Sequence, residues 1–285
     1  MSKKNRRSAD RPAKKKRVVI PFVERPFEGL ASEAELVAMR EILPLATIDA
    51  KVTAEYGGQD ITLATILPGM AAAIRRDDGV LLVAVQTIMS SGDPSLDIAT
   101  RVLRGLELTP GSSLEISDQP EPGPRLQDVV ESFGEFQVYD EPVFWMTPDE
   151  ADKPENKKAL GESREQLVPT RAVAGVRGAY GCRMSPECVR YVRPEPRDAV
   201  LDALARMRTA GTSTFDESRF IGAFRAQGLL IPVWQLQPGS EADELGGPLS
   251  QFAAEFDKAI ATTEPLTAEE KRARAGIVSR QVTLR

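Results

Sequence analysis

Gly79-Val80-Leu81-Leu82-Val83-Ala84-Val85-Gln86 and Gly228-Leu229-Leu230-Ile231-Pro232-Val233-Trp234-Gln235 are the two stretches on which the fold turns. Each is a short apolar run opened by glycine, the pattern of a strand buried in a sheet. Each also precedes a turn and an amphipathic helical pattern. Behind the first, Asp93 reads as a helix cap with Pro94 at the first position, and Leu96, Ala99, Leu103 and Leu106 form the apolar side, closed by Gly105. Behind the second, Leu249, Phe252, Ala253, Phe256 and Ile260 recur at helical spacing after Pro248. The echo predicts an α+β protein of two small α/β units packed together. Internal duplication and two ordinary buried strands are both open as its origin.

Working outward, the predicted division is a basic leader at 1–20, a first α/β unit at 21–146, a polar linker or insertion at 147–168, and a second α/β unit with a C-terminal tail at 169–285. In the first unit, Ser32 and Glu35 make a capping box for a helix carrying Leu36, Val37, Met39 and Leu43, stopped by Pro44. Gly57-Gly58 suggests a hairpin between strands at 51–56 and 60–65, followed by a helical stretch to Arg76. A short helix at 126–130 and strands at 135–139 and 143–146 come next. The second unit reads as strands at 178–184 and 188–193 and a helix at 197–209. A further helix carries Phe220, Ile221 and Phe224 behind a Thr214/Glu217 capping box, and a strand follows at 229–236. Pro232 within that strand argues for a sheet edge, hence for self-association through it.

Composition excludes several chemistries. The 285 residues contain no histidine, so a histidine-activated serine or cysteine nucleophile, a histidine metal site and a histidine pH switch are all ruled out. Two cysteines cannot make a four-cysteine zinc site or a disulfide scaffold. No cofactor is implied. The run at 61–74 contains Pro68 and Gly69 and is too short to span a bilayer, and no secretory signal follows the basic start. These features predict a soluble cytoplasmic protein with reduced thiols.

The net charge of −5 conceals a partition. Lys3, Lys4, Arg6, Arg7, Arg11, Lys14, Lys15, Lys16 and Arg17 stand against Asp10 alone, giving residues 1–17 a charge of +8 and leaving −13 for the rest. Such a segment has too little apolar surface to offset its ordering entropy and is expected to be disordered. It would attract RNA, the ribosome or another polyanion electrostatically, without aromatic stacking. A solubilising tail lying over its own acidic body is the competing reading.

Candidate sites in the body are few. Ser91, Gly92 and Asp93 occupy a strand-to-helix junction, where α/β proteins bind ligands, although a plain helix cap explains them equally. Trp234 at a strand end could line the same pocket or be core. Cys182 and Cys188 lie six apart around a predicted turn, where a matching register would allow oxidation; small buried residues are the ordinary alternative. The carboxylates are scattered, with no local acid–base pair.

Several motifs in one order carry a resemblance: RPFEGL (25–30), VAMREILPLAT (37–47), TLATILP (62–68), SGDPSLDIA (91–99), GPRLQD (123–128), FRAQGLLIPVWQL (224–236) and LTAEEKRARAGIVSRQVTLR (266–285). The chain resembles an uncharacterised domain-of-unknown-function family of cytosolic proteins from high-GC Gram-positive bacteria. The resemblance implies a fold family and no established catalytic or ligand residues. Some longer members carry a cysteine-rich zinc module, like that at the tail of the SecA translocation motor, between the basic leader and RPFEGL. Here that interval has neither cysteine nor histidine, so the resemblance transfers no metal and no translocation role. The expected function is a non-enzymatic binding or adaptor protein whose leader contacts RNA, ribosome or another polyanion. The alternative is a small-ligand binder, or an enzyme independent of histidine, with its pocket near Ser91, Gly92, Asp93 and Trp234.

Overall fold

The computed structural model describes residues 19–86, 88–116 and 118–279, and the backbone of 282–283. The nine basic residues singled out between Lys3 and Arg17 lie outside the described residues. The chain is α+β, built on two sheets.

The first half runs α1 (Glu33–Glu41), β1 (Ala46–Val52), β2 (Asp60–Ala64), β3 (Ala73–Arg75), β4 (Leu81–Ala84), α2 (Pro94–Gly105), β5 (Ser112–Leu114), α3 (Leu126–Val129) and β6 (Val130–Val138). Its strands order as β5-β3-β4-β2-β1-β6. Two helices, α4 (Pro148–Ala151) and α5 (Pro154–Glu165), occupy the polar segment at 147–168; Leu160 is the buried residue of α5. The second half runs β7 (Thr170–Ala172), β8 (Ala179–Cys182), β9 (Cys188–Tyr191), α6 (Arg197–Thr209), β10 (Arg219–Ala226), β11 (Leu229–Gln235), α7 (Gly246–Ala261), α8 (Ala268–Val278) and β12 (Val282–Thr283), with strand order β12-β10-β11-β9-β8-β7.

The two apolar runs that echo each other become β4 and β11, both interior strands. The order β3-β4-β2-β1 in one sheet matches β10-β11-β9-β8 in the other. The senses do not match: β4 is parallel to β2, whereas β11 is antiparallel to β9. The crossover helix α6 lies between β9 and β10, whereas a loop with one 3-10 turn joins β2 to β3. The sheets therefore share a strand order without being superimposable copies.

α1 lies in the seam between the sheets. Leu36, Val37 and Met39 join one core with Ile48 and Val83 of the first sheet and Tyr180 and Ile231 of the second. Ile98, Ala99 and Val102 of α2 enter the same core. Each such aliphatic side chain stabilises the fold by roughly 1.5–3 kcal/mol when fully buried. On the outer face of the second sheet, α6, α7 and Ile277 of α8 cover a second core around Trp234. A smaller cluster of Leu45, Leu67, Leu82 and Phe144 covers the outer face of the first sheet.

Four local expectations are corrected. The predicted helix with Phe220, Ile221 and Phe224 is strand β10, because Gln227 and Gly228 make a two-residue hairpin turn with both φ positive, at 48° and 82°. Thr214 and Glu217 accordingly sit in a loop, with Asp216 and Glu217 left-handed. The helical stretch before Arg76 is a single 3-10 turn followed by β3, which the Gly79 turn pairs with β4. The strands expected at 135–139 and 143–146 are one long β6 and a 3-10 turn at Val143–Trp145. Pro232 lies inside the sheet, buried, not at an edge. Counting from the hairpin turn, its pair with Ala223 is of the non-hydrogen-bonded kind, so its nitrogen faces β9. There the ladder is interrupted, running from an isolated Arg193–Leu230 bridge to Val233–Arg190, and the missing N–H costs no strand bond.

Candidate functional site

The segment that leaves the basic leader forms a strap across the seam. Val23 N–H donates to the Gly92 carbonyl at 2.8 Å. The approach is tight: a Cβ on Gly92 would fall 2.8 Å from the Pro21 carbonyl oxygen and 2.9 Å from that of Ile20. Glu24 then accepts a hydrogen bond from Arg225 at 2.5 Å. Arg25 grips Glu33 at the start of α1 with two bonds of 2.6 and 2.7 Å and donates to the Pro194 carbonyl at 2.7 Å. The hairpin turn of the second sheet closes on the same point, since a Cβ on Gly228 would lie 2.6 Å from Arg25 Cβ. The strap is thus tied to α1, to the entry of α2 and to β10.

Beside the strap is a cleft of about 720 Å³. Phe22, Val23 and Glu24 form one wall, Arg40 and Glu41 of α1 another, Ser90, Ser91 and Gly92 a third, and Arg225, Gln227 and Gly228 the last. Phe22 is exposed at its rim. Gln227 donates to Glu41 at 2.8 Å, and the charges of Glu41 and Asp97 act on Arg40 from nearby. Arg40 Nη1 donates to the Val85 carbonyl at 2.9 Å, its Nε is buried with no hydrogen-bond partner, and burial pushes its pKa down.

Behind this wall Arg101 of α2 donates to the carbonyls of Ala84, Val85 and Met89 at 3.0, 3.3 and 3.1 Å, and burial pushes its pKa down to about 10. Both guanidinium groups thus converge on the carbonyls at the C-terminal end of β4. Asp97, one turn before Arg101 and 2 % exposed, accepts from Ser91 N–H at 2.8 Å through one oxygen; its other oxygen has no partner. The cleft wall itself carries Arg40 and Arg225 against Glu24 and Glu41, while Asp97 and Arg101 are not among its lining residues.

The predicted site residues part company. Ser91 and Gly92 line the cleft. Asp93 is a committed helix cap: it accepts from Ser95 N–H at 3.1 Å, and Arg125 holds its carboxylate at 2.7 Å, so it has no free face for a ligand. Trp234 is elsewhere. Its ring is fully buried on the outer face of the second sheet, with Phe252, Phe220 and Phe215 centroids at 5.2, 5.4 and 5.8 Å, and its indole N–H donates to the Ser213 carbonyl at 2.8 Å. It belongs to a hydrophobic core, and the pocket that was to include it does not. Alternation along β11 decides this: Trp234 shares a face with Leu230 and Pro232, away from α1. Sequence reasoning missed Arg40, Asp97 and Arg101. The one signal was an Asp97/Arg101 pair four apart on a helix whose neighbouring positions are apolar.

The ordered motifs find their counterpart in a family model: one described as a family of unknown function, DUF5926, matches residues 26–285. The chain belongs to this family. The DUF5926 match takes in both sheets, α1, Arg40 and the Ser91–Asp93 junction, and the basic residues and most of the strap precede it. No curated protein and no solved structure matches the chain. No helix among the described residues is long and apolar enough to cross a membrane.

Proposed function

We propose that this DUF5926 protein is a cytoplasmic, non-enzymatic binding or adaptor protein whose leader contacts RNA, with the ribosome as the RNA-rich particle it would meet first. The observation that carries this reading is the charge partition, +8 on residues 1–17 against −13 on the remainder. Nine cations on a short segment give a salt-sensitive attraction to phosphates, while the acidic body repels them. The strap supports the reading further, because Val23, Glu24 and Arg25, which follow the leader in sequence, are fixed on the body.

Sedimentation of lysates tests it. With the full chain at low salt, the protein is expected in the ribosome-rich pellet, moving to the supernatant at moderate salt, and a form lacking residues 1–17 is expected in the supernatant throughout. If both forms stay soluble at low salt, the leader is no nucleic-acid anchor and serves as a solubilising tail.

The cleft favours a second reading, the binding of a small anionic ligand. Arg40, which lines the cleft and whose buried Nε has no hydrogen-bond partner, is its support. A phosphate- or carboxylate-bearing ligand would supply that guanidinium with a further acceptor. Thermal-shift screening against such anions should raise the melting temperature for wild type and not for Arg40→Met, which keeps the methylene packing. Equal shifts for both proteins would rule the cleft out.

A further inference from the structure

Cys182 ends β8 and Cys188 opens β9, and the hairpin register sets them directly opposite each other across the loop at 183–187. Directly opposed residues of an antiparallel pair project from the same face with Cα atoms roughly 4.5–5.5 Å apart. That spacing falls within the range a disulfide bridges. Both are free thiols, and both are buried in the core between the sheets.

Two further features make the pair chemically uneven. Arg190 lies two residues from Cys188 on the same face, with its guanidinium 5.9 Å from the Phe224 ring centroid and Nη2 3.0 Å from Met184 Sδ. The neighbouring Cys182 thiol, with help from Arg190, holds the Cys188 thiol down to about 7 against burial, and the closeness of the two together with burial pushes Cys182 up, while Cys182 Sγ donates to the Tyr180 carbonyl at 3.8 Å. A cavity of about 100 Å³, lined by Cys182, Gly181, Arg171 and Arg183 among others, reaches Cys182, directly opposite Cys188, from the side of β7. Its volume admits a peroxide.

We propose that Cys182 and Cys188 form a redox modification site, oxidised by hydrogen peroxide to a disulfide across the β8–β9 hairpin and restored by a dithiol. The Cys188 thiolate attacks one peroxide oxygen; the O–O bond breaks, Cys188 becomes a sulfenic acid, and the departing hydroxide takes a proton to leave as water. The Cys182 sulfur then attacks Cys188 Sγ, the S–O bond breaks, and the sulfenic oxygen leaves as a second water carrying the Cys182 proton. Two thiols have lost two electrons to one peroxide. In reverse, a dithiol gives two electrons and two protons and becomes a disulfide itself. Disulfides of this transient kind are the ones compatible with a reducing compartment.

The test uses the full-length wild-type chain, reduced and then treated with hydrogen peroxide. The expected product is a monomer lighter by two hydrogen atoms, whose digest contains a peptide joining Cys182 to Cys188 and which dithiothreitol returns to the starting mass. In Cys182→Ser the resolving thiol is gone, and Cys188 is expected to be captured by dimedone as the sulfenic acid. Two results overturn the proposal: both thiols remaining free at peroxide levels that oxidise a small free thiol, or a disulfide forming only between chains.

Discussion

Replacing Gly92 by alanine should release the strap while leaving the body folded. The added methyl would sit 2.8 Å from the Pro21 oxygen and 2.9 Å from the Ile20 oxygen, where a carbon–oxygen contact needs roughly 3.4 Å. Both offending atoms are backbone, so no rotamer change relieves them. The strap must move by about half an ångström, stretching the 2.8 Å Val23–Gly92 bond to beyond about 3.2 Å, outside the good range. Overpacking of this kind costs about 1–3 kcal/mol. The strap can escape it by undocking, which sacrifices a hydrogen bond worth about 1 kcal/mol together with its packing. The local route is therefore preferred. Hydrogen exchange should show the Val23 amide losing at least about tenfold of its protection, equivalent to about 1.4 kcal/mol, while amides of β4 and β11 keep theirs. Undiminished protection at Val23 would refute the tight docking of the strap, and equal losses in β4 and β11 would refute its independence from the body.

Other substitutions probe the packing and the thiols. Trp234→Ala should destabilise the chain by about 3–5 kcal/mol in denaturant unfolding, as removal of a fully buried aromatic does, without altering anion binding in the cleft. Arg177 holds Glu35 of α1 with bonds of 2.5 and 2.9 Å; Glu35 is buried while Arg177 is largely exposed. Arg177→Ala should therefore cost about 2–3 kcal/mol, below the full penalty for a buried pair because solvent reaches the arginine side. Glu35→Gln in the same background should recover part of that loss in the same unfolding assay. With the Cys188 thiol held near 7, alkylation of the reduced protein by iodoacetamide should rise as pH increases through about 7; a rise only near pH 9 would mean the thiolate is not stabilised.

The sequence made the regular, self-announcing elements readable. Helix α6 falls at Arg197–Thr209, where its apolar positions set it, and Asp93 caps α2 with Pro94 at its first position, a local signal requiring no tertiary partner. The strand nature of β10 was not readable in the same way. Phe220 and Phe224 suit a helix face and a strand face alike, and the deciding feature is the two-residue turn at Gln227-Gly228, which a helix-stop glycine imitates. Ser32 shows a further limit: it caps nothing through its side chain, and its Glu35 partner turns instead to Arg177, 142 residues away. The cleft was half readable. Ser91 and Gly92 stood out at the strand-to-helix junction, but the cation beside them comes from α1, and Arg40 next to Glu41 in the last turn of that helix reads as an ordinary helix-end charge until the fold brings it to the cleft. Trp234 was misplaced because the face a strand residue occupies depends on which side its sheet meets α1.

The central claim is that the leader is an electrostatic anchor for RNA, and the salt dependence of binding tests it most directly. With single-stranded RNA, log Kobs plotted against log salt falls with a slope of about −0.7 for each phosphate neutralised. If most of the nine leader cations engage, the full chain should give a slope approaching about −6. The form lacking residues 1–17, left with a charge of −13, should show no binding at the same concentrations. Equal affinity in the two forms, or binding by the full chain that salt leaves unchanged, would contradict the account.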